Sequence, residues 1–133
     1  KTIFLNIFQF FKKKKLNHYQ MAFNSEPSFE EPEKWGASFW KVIDLVVLSM
    51  DNNNELSKDY VYLFFYSLQN VLPCPECREH YTEYFSKYNL KQVLHSKELT
   101  FQWIYRLREE INKRKNVESG ISFETYIKLV EKK

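Results

Sequence analysis

The chain predicts an all-α fold, a four-helix bundle with a short fifth helix, on three observations. Apolar residues recur at three- and four-residue steps from Trp35 onward, the spacing of one helix face. Turn-forming residues divide these stretches into segments joined by short connections, which places neighbours antiparallel. No strand of the kind a βαβ unit requires is visible.

Trp40, Ile43, Val47 and Met50 form the first stripe, thickened by Phe39, Val42 and Val46, and Asp51 to Asn54 end it. A second helix follows Ser57 and carries Tyr60, Leu63, Phe64, Leu68 and Val71 to a stop at Pro73. The third begins at the cysteine motif and runs to about Lys87, with Tyr81, Tyr84 and Phe85 inward. The fourth, capped by Ser96, presents Leu99, Trp103, Leu107 and Ile111 and ends in Lys113, Arg114 and Lys115, a basic end suited to a helix C-terminus. Gly120 breaks the pattern, and Ser122 starts a short fifth helix through Leu129.

A chain of 133 residues is one domain in size, and we divide it into an N-terminal tail, 1–31, and a helical domain, 32–133. The tail opens with an apolar run, Ile3 to Phe11, followed by four lysines. This run is too short to span a bilayer and lacks the order of a cleavable signal peptide. It has the composition of a segment that lies on an anionic membrane surface. Alternatively Met21 is the true start, and the residues before it are upstream translated sequence.

Hydrophobic residues make up 44% and aromatics 18%, with 12 Phe, 9 Tyr and 3 Trp. That supplies a packed core and flat side chains able to wall a planar cofactor. With 2 Gly the chain has no glycine-rich phosphate loop. A net charge of +3 is too small to argue for nucleic acid, which we leave out as a partner.

Chemistry concentrates in Leu72-Pro73-Cys74-Pro75-Glu76-Cys77-Arg78-Glu79-His80, which holds the chain's two cysteines. At a helix start, where backbone N–H groups are unpaired, a thiolate is favoured over a thiol. A structural disulfide closing so small a loop removes little chain entropy. Zinc is a competing reading, with Cys74, Cys77, His80 and His95 as ligands of a helical interaction module. A thioredoxin-like site needs a preceding strand. There remains a dithiol/disulfide centre on a helical scaffold, which requires a second electron carrier.

Trp35-Gly36 and Trp40 in the first helix, the cysteine motif opening the third, and Trp103 leading to Ile111-Asn112 in the fourth resemble the ERV/ALR sulfhydryl oxidases. The likeness is nearest the short forms of large DNA viruses, the poxviral thiol oxidase among them, and covers about residues 32–116. It implies a homodimer binding FAD non-covalently, with Cys77 against the flavin and Cys74 exchanging with substrate. Electrons would pass from a protein dithiol, of a thioredoxin-like or small CxxC partner, through FAD to oxygen, yielding hydrogen peroxide. Localisation would be host cytoplasm and virion. Trp35, Gly36, Trp40, Asp44, His80, Tyr81, Trp103, Arg108, Asn112 and Lys115 occupy the corresponding cofactor-binding positions. Asp44 and Arg108-Glu109 stand where members often carry a histidine and a His-Asn pair, and the additional cysteine pairs of other members are missing. Without a shuttle pair of its own, the Cys74 side of the site has to be reachable by the partner directly.

Overall fold

The computed structural model describes residues 31–118 and 120–132, which form five α-helices and one 3-10 turn. Met21 and the lysine run of the predicted tail lie outside the described residues. Helix α1 spans Pro32–Ser49 and opens with proline, whose fixed φ and missing N–H suit a first turn. Helix α2 spans Glu55–Val71. It begins earlier than predicted because the Asn54 side chain, not Ser57, is the cap, accepting from the Ser57 N–H at 3.0 Å. The Ser57 hydroxyl instead accepts from the Asp51 N–H at 2.9 Å and closes the connecting turn.

Helix α3 spans Pro75–Lys87 and is followed by a 3-10 turn, Leu90–Gln92, that periodicity did not predict. Helix α4, Lys97–Arg114, has the predicted Ser96 cap, which accepts from the Leu99 N–H at 3.2 Å. Its end is not set by Gly120. Asn116, at φ 55°, terminates it in a Schellman motif, with Val117 N–H donating to the Asn112 carbonyl and Asn116 N–H to Lys113. Gly120, at φ 69°, sits in the following turn, and Ser122 caps α5, Phe123–Glu131, as predicted.

Helix α1 packs on α4, α2 on α3, and α5 on α4. Val47, Phe65 and Ile104 have no exposed surface, and burial of such side chains stabilises by about 1.5–3 kcal/mol each. On α2 the predicted stripe is partly wrong: Tyr60, Leu63 and Val71 are exposed. Apolar residues surround most of that helix, and the face that packs is Val61, Phe65, Leu68 and Leu72, at steps of four, three and four. Val42 and Leu99 also face outward.

Buried polar groups tie α3 to both neighbours. The Tyr81 hydroxyl donates to the Phe65 carbonyl at 2.7 Å, the Tyr84 hydroxyl to Trp103 at 2.7 Å, and the Trp103 indole N–H to Tyr88 at 2.9 Å. No described helix is long and apolar enough to cross a membrane.

Candidate active site

Two prolines shape the cysteine loop. A residue before proline is driven out of the helical region, and Leu72 and Cys74 are both extended, with ψ of 135° and 121°. Helix α2 therefore stops at Val71 and α3 starts no earlier than Pro75. Arg78 Nη1 donates to the Leu72 carbonyl at 2.6 Å and ties the loop to the first turn of α3.

Cys74 is the N-cap of α3, and its Sγ accepts from the Cys77 N–H at 3.1 Å. The two cysteines form a disulfide with Cα atoms 5.1 Å apart. Both sulfurs sit at the positive end of the helix, where a thiolate is stabilised by unpaired N–H groups. Cys74 is 9% exposed and Cys77 half-buried, while Pro73, Pro75 and Glu76 beside them are exposed. Cys74, the cysteine expected to meet substrate, is thus the more buried of the two.

Both cysteines line a cavity of about 780 Å³, within the size range of cofactor sites. Helix α1 contributes Trp35, Gly36, Phe39, Trp40 and Ile43, and the end of α2 contributes Leu68 and Leu72. From α3 come His80, Tyr81, Tyr84 and Tyr88, and from α4 Leu107, Ile111, Arg114 and Lys115. A Cβ added at Gly36 would meet no atom within 4 Å, so the residue leaves open space. At the rim, Arg114 pairs with Glu83 at 2.8 Å and Lys115 with Glu33 at 3.7 Å. Exposed pairs of this kind contribute little, so both cations are available to an anion. The apolar and aromatic walls fit flat rings, while the lining also carries Glu31, Glu33, Glu76, Glu83 and Glu110, so phosphates would be met only where Arg114 and Lys115 stand.

Of the sequence-predicted cofactor positions, Trp35, Gly36, Trp40, His80, Tyr81 and Lys115 line this cavity. Trp103 stands one layer behind, its ring 5.0 Å from Tyr84 and 5.6 Å from Phe65. Asn112 lies on a shallow hollow beside Lys113 and Arg106. Asp44 and Arg108 meet each other, with Arg108 Nη2 3.0 Å from Asp44 Oδ2. Tyr84 and Tyr88 escaped the sequence reading of the site, although Cys77, Tyr81, Tyr84 and Tyr88 follow one helix face at steps of four, three and four.

The zinc set does not assemble. Cys74 and Cys77 are bonded to each other, His95 is exposed just before the Ser96 cap, and among the described residues no three His, Cys, Asp or Glu side chains are grouped as for a metal ion.

The chain is 36% identical over 83 residues to the probable FAD-linked sulfhydryl oxidase of Acanthamoeba polyphaga mimivirus, covering 61% of this chain and 58% of that protein. It is 32% identical over 60 residues to the probable FAD-linked sulfhydryl oxidase of fowlpox virus, covering 45% and 60%. The protein of the same name from vaccinia virus is 30% identical over 79 residues, covering 58% and 76%. The chain spans about three fifths of the length of the first two of these curated relatives. No solved structure is a significant match. The profile of the Erv1/Alr family matches residues 37–129, which include the cysteine motif and most of the cavity wall, and the chain belongs to that family.

Proposed function

We propose that this chain is an FAD-dependent sulfhydryl oxidase that forms disulfide bonds in partner proteins. The observation that carries this reading is the Cys74–Cys77 disulfide at the start of α3, opening into an aromatic cavity of about 780 Å³.

The chemistry of the pair follows from its position. A substrate thiolate attacks Cys74 Sγ, the bond to Cys77 breaks, and the Cys77 sulfur leaves as a thiolate at the first turn of α3, where the helix end stabilises it. A second substrate thiol attacks the mixed disulfide, and the Cys74 sulfur leaves. The Cys77 N–H, which already donates to that sulfur, favours its departure as an anion. The substrate gains a disulfide, and two electrons rest on the Cys74–Cys77 dithiol. FAD, when bound, would supply the acceptor for that electron pair, with oxygen as the final acceptor and hydrogen peroxide as its product. Trp35, Trp40, Tyr81 and Tyr84 would wall its rings, while Lys115 and Arg114 would meet its phosphates.

The substrate is a protein dithiol, as in a thioredoxin-like or small CxxC protein, since its second thiol resolves the mixed disulfide at high effective concentration. The reading extends to a homodimer, as the family resemblance implies. The viral relatives support a place in host cytoplasm and virion. Oxygen consumption by the FAD-loaded protein with dithiothreitol and with reduced glutathione tests the reading: the dithiol should be oxidised faster, and consumption with neither would overturn it.

A further inference from the structure

Arg108 on α4 is held between two rings. Its guanidinium carbon lies 4.5 Å from the Trp40 ring centre and 4.8 Å from that of Tyr126. The same group donates to Asp44 Oδ2 at 3.0 Å, and the Tyr126 hydroxyl donates to Asp44 Oδ1 at 2.6 Å. Asp44 is 1% exposed, and Arg108 Nε is buried with no hydrogen-bond partner among the described residues. Arg108 Nη2 also donates to the Trp40 carbonyl at 3.5 Å, so the guanidinium is tied to Trp40 through its backbone as well as lying over its ring. Of these four residues only Trp40 lines the cavity.

We infer that Arg108 is a positioning residue for the cofactor cavity: fixed by Asp44 and Tyr126, it braces the Trp40 ring as a wall, and so couples α5 to cofactor retention at one remove. This rests on the cavity holding FAD. A half-buried indole on a helix has several rotamers open to it, and a cation held 4.5 Å from the ring centre selects among them. Lysine, a compact ammonium on a flexible stem, cannot do this. Asp44 fixes the guanidinium, and Tyr126 fixes Asp44 from α5.

The test is FAD titration of the full chain, followed by flavin fluorescence and by the position of the visible flavin band, with thermal unfolding recorded in parallel. Arg108→Lys is expected to weaken FAD binding about fivefold and to move the band. Tyr126→Phe, which keeps the ring and deletes only the hydroxyl, should act in the same direction and serves if Arg108→Lys fails to fold. In a Trp40→Leu background, Arg108→Lys should change FAD affinity by less than about twofold, because a residue acting through Trp40 has nothing left to act on. Equal losses in both backgrounds would overturn the inference, as would folded variants with lowered Tm but wild-type affinity and spectrum. A wild-type chain that takes up no FAD would instead remove the functional reading beneath it.

Discussion

The Tyr84 hydroxyl donates to the Trp103 backbone carbonyl at 2.7 Å, and the two rings meet at 5.0 Å in a T-shaped contact. Tyr84 faces the cavity while Trp103 does not line it, so the tryptophan supports the wall from behind. Trp103→Phe should therefore cost stability, about 1–3 kcal/mol for the lost indole hydrogen bond and the reduced packing. FAD affinity should stay within a few fold, as urea unfolding and flavin titration on the same preparation would establish. A variant of wild-type stability that has lost FAD would place Trp103 in direct contact with the cofactor.

Burial pushes the phenols of Tyr81, Tyr84 and Tyr126 above the ordinary tyrosine value, and for Tyr126 the hydrogen bond to Asp44 and that carboxylate's charge add to the effect. The folded state then keeps protons that the unfolded state releases above about pH 10. With fewer protons on the unfolded chain, stability is fully present below that pH and falls above it, by at most about 1.4 kcal/mol per pH unit for each such tyrosine. Urea midpoints at pH 8, 9.5 and 10.5 should fall steeply at the last step, and less steeply in Tyr81→Phe. A flat profile would contradict the buried phenols.

Asp44 has 2% of its side chain exposed and Arg108 22%. Removing one partner of a buried pair leaves the other charge uncompensated, so Asp44→Ala should destabilise by about 3 kcal/mol. Arg108→Ala in that background should cost less than in the wild type, since only its contacts with Trp40 and Tyr126 are left to lose. The four-member cycle of urea unfolding free energies would show this, and additive losses would mean that the pair is not coupled.

Most helix limits were legible because they rest on local chemistry: Ser96 and Ser122 cap as their positions suggest, and Pro73 and Pro75 define the cysteine loop. Asn116 went unread, since its left-handed conformation depends on the carbonyls offered by the last turn of α4 and not on a glycine. The packed face of α2 was misjudged because Tyr60, Leu63 and Val71 satisfy helical spacing equally well, and only tertiary contact selects among overlapping stripes. In the site, the cysteines and six of the ten cofactor positions line one cavity. The pairing of Asp44 with Arg108 joins residues 64 positions apart and leaves no periodic trace.

The most direct measurement is the absorption spectrum of the purified chain, recorded before and after anaerobic addition of dithiothreitol. A yellow protein is expected, whose flavin band bleaches in the wild type and persists in Cys74→Ser and Cys77→Ser, with helix content unchanged by circular dichroism. A colourless protein that takes up no added FAD and unfolds with a chelator would contradict it.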